Sequence, residues 1–360
     1  MPRTLVSSAK PRLRTLDDPA INLEARPHLL RAPITPVEDF FVRNNGTLPD
    51  AGGQSWRLEV TGLVERPLSF TVEALRAAFD ETSLTAVLEC AGNGRSSLEP
   101  PVPGLAWGPG AVGCARWTGI RLADVLERAG LMPGAIYVGF ESPDHVIGQP
   151  GVAALSRGLP IAKAMAPETL LATAMNGVTL EPLHGFPLRV VAPGFPGSAW
   201  QKWLTRITVL DREHDGAKMT GLDYRMPRVP IAPGTTPDPS IFEVITDMPV
   251  KSLITEPAPD FHATGPIIVR GFAWSGATAL AKVEVSTDGG ASWHLAALEE
   301  GEGRWAWRRF TAFTLTPHPG EVEIVARATD VAGRCQPMSP PWNPRGYLNN
   351  ALHRVRGRLT

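Results

Sequence analysis

The sequence predicts an α+β domain followed by an all-β, immunoglobulin-like sandwich, and three observations carry that reading. At 360 residues the chain exceeds the usual size of one hydrophobic core. Strand and helix patterns mix between 55 and 210 without the regular βαβ alternation of a doubly wound sheet. Beyond 245 the texture changes to period-two alternation with turns about every 8–12 residues, as an antiparallel sandwich requires. The expected organisation is an extended arm over 1–35, a first domain over 36–240 and a second over 245–360.

In order along the chain, the polar, proline-punctuated start reads as the arm, and SWRLEVTGLV, 55–64, as a strand. FTVEALRAAF, 70–79, reads as a helix with Thr71 as its N-cap. SLTAVLEC is a buried strand ending at Cys90, followed by a Pro/Gly loop over 99–113 and a helix around 121–131. PETLLATAMNG, 167–177, reads as a further helix closed by Asn-Gly, and FPLRVVAPG and KWLTRITVLD as strands. Residues 226–240, with five prolines and no apolar periodicity, read as a linker. In the second domain, Asp288-Gly289-Gly290 suits a tight hairpin turn between two strands.

Composition narrows the function. Gly and Pro number 35 and 36, about a fifth of the chain against roughly 12% on average, so short elements are joined by many turns. A net charge of -1 offers no basic excess for nucleic acid or an anionic membrane. No apolar stretch approaches the ~20 residues of a membrane span, and no export signal is visible. The expectation is a cytoplasmic protein, periplasmic if an export signal has been removed. Cys90, Cys114 and Cys335 form no Cys-x-x-Cys, which argues against a disulfide framework, a zinc knuckle and covalent haem.

One thiol stands out. In LECAGNGRSS, Cys90 ends an apolar strand; Gly92 and Gly94 let the chain pass a bulky group closely, and Arg95 adds a fixed positive charge. Cations and backbone amides lower a thiol pKa, so this position suits a nucleophile or a ligand to a soft metal. A buried structural cysteine is the plain alternative.

The wider chain resembles the sulfite oxidase family. The blocks FFVRNNGTLP, LECAGNGRSS, GLAWGPGAVGCARWTG, HGFPLRVVAPG, WQKWL, RGFAWSG, VSTDGGASW and PPWNPRGYLNNALHRV occur in the family's order and span nearly the whole chain. The resemblance implies a molybdopterin-binding catalytic domain, a dimerisation sandwich and a homodimer. It implies molybdenum held by a pterin dithiolene with Cys90 as the protein ligand, while Cys114 and Cys335 match no ligand block and read as packing cysteines.

It also implies a substrate pocket of Arg43, Arg95 and Arg345 with Trp107 and Tyr224, where rigid guanidinium forks replace the hydration of a small oxyanion. Phe41, Val42, Arg43, Asn44 and Asn45, with His184, Arg189, Trp200, Gln201 and Lys202, match positions that grip the pterin and its phosphate, and Asp144 resembles a further contact. Two residues depart from animal and plant members: Asn45 where they carry His, and Gly94 where they carry Arg.

The activity implied is oxidation of sulfite to sulfate by oxo transfer. No haem is expected from the length and motifs, so electrons pass to an external acceptor, a small cytochrome if the protein is exported. The alternative within the fold is a reductase of nitrate or a sulfoxide; a third arginine, Arg345, favours a divalent oxyanion. From another class, the alternative is a cofactor-free binding module, which would have no use for Cys90, Arg95, His184 and Arg189 together.

Overall fold

The computed structural model describes residues 10–17, 19–51, 56–314 and 319–360. Strands dominate, and the α-helices among the described residues are short: Val72–Ala78, Leu122–Ala129 and Ile161–Ala164. Thr71 caps the first as its sequence signals, its hydroxyl accepting from Ala74 N at 3.1 Å. The second buries Leu122, Val125, Leu126 and Ala129 on one face and ends at Gly130, whose φ of 73° lets its N–H reach the carbonyls of Leu126 and Glu127.

Two sheets build the first unit. In one, the strands run Val178–Thr179, Leu170–Met175, Val112–Arg121, Glu81–Glu89, with Arg189–Val191 also pairing Leu170–Met175. In the other the order is Leu68–Thr71, Arg57–Gly62, Arg206–Leu210, Tyr137–Glu141, Gly158–Pro160, antiparallel except where Arg206–Leu210 lies parallel to Arg57–Gly62. A core including Leu58, Val60, Trp117, Phe140 and Ile207 fills the space around them.

Two expectations are corrected here. Residues 167–177 are no helix: Leu170–Met175 is a nearly wholly buried strand, and Asn176-Gly177, at φ 55° and 80°, turns it into Val178–Thr179. A helix has one apolar stripe; this segment is flanked by strands on both sides, and Asn-Gly acts as a hairpin turn. The stretch after the Pro/Gly loop holds a ten-residue strand, Val112–Arg121, and not only the helix that follows. The proline-rich 226–240 segment is bounded by a pair of strands, Arg225–Pro227 and Phe242–Val244.

The described part of the N-terminal arm folds back as a hairpin, Arg14–Asp17 on Asn22–Glu24, and buries Ile21, Leu23 and Leu30. Residues 1–9 of that expected arm lie outside the described residues.

In the second unit, Lys251–Glu256, Ile267–Trp274, Arg308–Thr314 and Ala297–Leu298 form one sheet, and Phe261–Ala263, His353–Leu359, Gly320–Asp330, Leu280–Ser286 and His294–Leu295 the other. Alternating burial along His353–Leu359 turns Val355, Gly357 and Leu359 inward, onto a core with Val269, Val283, Phe310 and Ile324. The Asp-Gly-Gly turn is present, Gly289 and Gly290 at φ 70° and 104°. A further apolar cluster joins the units, packing Phe272, Trp274 and Trp307 against Val42, Val87 and Cys114.

Candidate active site at Cys90

Cys90 follows the strand Glu81–Glu89, and its N–H donates to Ala111 O at 2.9 Å, which keeps the loop beside Val112–Arg121. Asn93 closes the turn, its N–H donating to Cys90 O and its Oδ1 accepting from Ala111 N at 3.0 Å. The chain then doubles back so that Arg95 lies against it. A Cβ on Gly92 would come within 2.5 Å of Arg95 Nη2, and one on Gly346 within 2.7 Å of Arg95 Cγ. The glycine after the cysteine therefore makes room for this arginine. At Gly94, φ is +85°, and Asn349 Nδ2 donates to the Gly94 carbonyl at 2.6 Å.

The second unit closes over the loop. Leu348 N donates to Ala91 O at 2.9 Å, and Arg95 Nε donates to Arg345 O at 2.8 Å. Tyr347 stacks on Tyr224 with ring centroids 5.4 Å apart, and the Arg95 guanidinium lies 5.3 Å from the Tyr347 ring centre.

Two cavities meet at the cysteine. The first, about 60 Å³, is walled by Phe41, Val42, Arg43, Asn45, Cys90, His184, Arg189, Trp200 and Lys202 among others. The second, about 180 Å³, is walled by Arg43, Cys90, Arg95, Trp107, Tyr224 and Arg345, with Lys218 and Asp223. Cys90, Arg43 and Tyr224 belong to both. A larger concavity, about 1020 Å³ and lined by Thr47, Trp56, Glu141 and Arg206 among others, is an open groove with no cysteine among its lining residues.

The first cavity gathers Arg43, Arg189 and Lys202, none of which forms an ion pair among the described residues, while Lys10 behind His184 pairs with Glu181 at 3.3 Å. Arg189 is buried and spends its donors on carbonyls, Nη1 to His184 O at 2.8 Å and Nη2 to Trp200 O at 3.1 Å. Burial pulls its pKa down to about 9. Lys202 Nζ donates to Leu183 O at 2.9 Å and to Asn44 Oδ1, and lies 4.2 Å from the Trp203 ring centre. Burial first, then Arg189, push Lys202 well below the usual lysine range. His184 Nε2 sits 3.1 Å from Lys10 Nζ, and burial ahead of Lys10 lowers its pKa. An ammonium neighbour can only donate, so Nε2 is the acceptor and the ring is neutral.

Such a cluster is costly to bury uncompensated, and a bound anion relieves it. The donor chemistry therefore fits a phosphate-bearing group. The volume does not: about 60 Å³ is far below the ~300–1,000 Å³ of ordinary ligand sites, so entry of a pterin requires the walling side chains to part. Among the described residues no group of three or more His, Cys, Asp or Glu could hold a metal, so a metal at Cys90 would need its other ligands from the cofactor.

Not every expected contact lies on a cavity wall. Asn44 is consumed locally, Nδ2 donating to Ala20 O at 2.9 Å and Oδ1 accepting from Lys202. Gln201 turns away, Nε2 to Ser142 Oγ at 2.6 Å and Oε1 to Arg157 N at 3.2 Å. Asp144 is buried beside Ser142, and burial raises its pKa. These three act one step behind the walls. In the second cavity Arg345 is not a free cation: it pairs with Asp223 at 3.4 Å, while its Nε is buried without a partner. Cys114 is buried as expected, whereas Cys335 is exposed and is not a packing cysteine.

Sequence reasoning missed Lys218, Asp223, Arg157 and Tyr347. Two of them carried a signal: Asp223, directly before Tyr224 in LDYR, and Tyr347, two residues after Arg345 in NPRGY.

Residues 45–218 match the family model of the oxidoreductase molybdopterin binding domain, and residues 242–359 that of the Mo-co oxidoreductase dimerisation domain. Sulfite oxidase of Gallus gallus is 38% identical over 360 residues, covering 96% of this chain and 77% of that one. The chain belongs to the sulfite oxidase family.

The mitochondrial sulfite oxidase of Rattus norvegicus is also 38% identical, over 96% of this chain, and the match spans 65% of the rat protein's length. Among solved structures, the sulfane dehydrogenase SoxCD of Paracoccus pantotrophus superposes with a TM-score of 0.81 at 28% identity, covering 98% of this chain and 89% of that one. Within the sulfite oxidase family, Asn45 and Gly94 now have local accounts. Asn45 Oδ1 accepts from Arg43 Nη2 and Lys218 Nζ, both at 2.8 Å, and from the Tyr224 hydroxyl at 3.3 Å. Gly94 lets Asn349 of the second unit reach its carbonyl.

Proposed function

We propose that the chain is a molybdopterin-dependent enzyme that oxidises sulfite to sulfate and passes two electrons to an external acceptor. The observation that carries this is the sharing of Cys90, Arg43 and Tyr224 between a cavity of uncompensated cations and a cavity lined by arginines. The first suits an anionic cofactor and the second a small oxyanion, with one cysteine between them.

When bound, the molybdenum–pterin group supplies oxo transfer and takes up the electron pair. Arg189, Lys202 and neutral His184 would hold its pterin and phosphate, with Asn44 fixing Lys202 from behind and Gln201 and Asp144 meeting at Ser142 further back, and Cys90 would be the protein's metal ligand. The overall change balances as sulfite plus water giving sulfate, two protons and two electrons. This chain's residues bind and orient the anion: Arg43, Arg95 and Arg345 present donors around it, and Trp107, buried with its ring edge-on to Phe41 at 6.2 Å, walls the cavity against water. The Tyr224 hydroxyl is held toward the site through Asn45.

In this reading, residues 36–240 form an α+β cofactor-binding domain and 245–360 an immunoglobulin-like domain that pairs two copies into a homodimer. A cytochrome-like protein is the acceptor this chemistry suits. A second reading, reduction of nitrate or a sulfoxide, has one observation in its favour: Asp223 offsets part of the Arg345 charge. Assays of molybdenum-loaded protein separate the two. Sulfite-driven reduction of a dye acceptor is expected, and turnover of nitrate with reduced viologen, without sulfite turnover, would overturn the proposal.

A further inference from the structure

Lys218 lies in a loop between the last strand of the first unit's second sheet and Tyr224, and nothing in its local sequence marks it. It lines the 180 Å³ cavity with Arg43, Arg95 and Arg345. Its backbone adopts φ +64°, a left-handed conformation that costs a lysine energy unless neighbours impose it. Its ammonium reaches Asn45 Oδ1 at 2.8 Å and makes no ion pair among the described residues.

The neighbour that imposes the conformation is Arg157. This arginine is 1% exposed, its Nη1 donates to Lys218 O, and its guanidinium lies 5.1 Å from the Tyr224 ring centre. Its Nε is buried without a hydrogen-bond partner, and no carboxylate pairs with it among the described residues. Nothing about packing requires a charged group there; an apolar side chain would fill the space without the desolvation cost. What the guanidinium does is fix the Lys218 backbone and the Tyr224 ring together, both of them lining the anion cavity. Its own N–H accepts no slack, since it donates to Gln201 Oε1 at 3.2 Å.

We propose that Lys218 is a fourth cationic residue of the substrate cavity, binding the oxyanion directly, and that Arg157 is its positioning residue. Asp223 offsets part of Arg345, and Lys218 restores the charge a dianion needs. The site then selects small divalent oxyanions over monovalent ones. This deepens the sulfite reading and rests on it for the reaction, but not for anion binding.

The test uses the molybdenum-loaded protein and two readouts, sulfite kinetics and calorimetric binding of sulfate against nitrate. Lys218→Met is expected to raise KM for sulfite about tenfold while kcat falls less than threefold, and to weaken sulfate binding about tenfold with nitrate changed less than twofold. Lys218→Arg should retain most of the affinity. Arg157→Met should reproduce the Lys218→Met effect, and the double variant should add little to either; if Arg157→Met does not fold, Arg157→Lys takes its place and should lie between it and the parent. Sulfate and sulfite constants in Lys218→Met within twofold of the parent, or a parent that binds sulfate no better than nitrate, would overturn the proposal. A parent that binds sulfate through Lys218 yet turns over no sulfite would leave it standing and remove the sulfite reaction instead.

Discussion

Glu89, the residue before Cys90, meets Lys251 Nζ at 3.0 Å in a buried ion pair that joins the two units. The same carboxylate accepts from Trp274 Nε1 at 2.7 Å and Asn93 Nδ2 at 2.9 Å, so its oxygens are satisfied. The cysteine loop is thus fastened from behind by the second unit. Removing one partner of such a pair strands the other charge, at about 3–5 kcal/mol. Lys251→Met should lose stability of that order in urea denaturation, and Glu89→Gln added to it should recover part of the loss. A single-variant loss below about 1 kcal/mol would contradict this role.

Acid should destabilise the protein through half-buried His353 and buried His184. Burial, ahead of nearby Lys251, pushes His353 from 6.5 down to about 4, and its Nδ1 accepts from Ile254 N at 3.1 Å, which needs the neutral ring. Between those values the unfolded chain binds the extra proton, so stability falls as pH drops from 6.5 toward 4, by up to about 1.4 kcal/mol per pH unit. His184 is shifted in the same direction. Chemical denaturation across pH 4–7 should show the slope, and His353→Asn should flatten it.

Thiol labelling of cofactor-free protein should follow exposure. Cys335 is exposed and should react first. Burial pushes the Cys114 thiol up to about 12, so it should stay unlabelled until the protein unfolds. Mass spectrometry of partially alkylated protein reads the order; early labelling of Cys114 would contradict the packing described.

The stack of Tyr347 on Tyr224 should matter for the anion, because it also lies under Arg95. Aromatic pairs contribute about 0.5–1.5 kcal/mol beyond area, and here the loss frees two cavity residues. Tyr347→Leu is expected to lower kcat/KM for sulfite about tenfold, mostly through KM. Unchanged steady-state kinetics would show that the stack only packs.

Much of this was legible in the sequence, and what escaped has physical reasons. Thr71 announced its helix because a cap is a local device, and Cys90-Ala-Gly-Asn-Gly-Arg announced the loop because Gly92 has to clear Arg95. Residues 167–177 misled because a fully buried strand lacks alternation and Leu, Ala and Met also favour helices. Lys218 and Arg157 were invisible because they are 61 residues apart and meet only through a carbonyl in a left-handed turn. The pairing of Arg345 with Asp223 was likewise a tertiary fact.

The central claim is that Cys90 holds a molybdenum centre that oxidises sulfite, and one measurement addresses it most directly. Molybdenum-loaded protein and its Cys90→Ser variant are compared for metal content and for sulfite-dependent reduction of ferricyanide. The account predicts fast turnover in the parent and loss of turnover in the variant by a factor of at least ~10³. Metal bound in the parent with no sulfite turnover, or equal turnover in Cys90→Ser, would contradict it.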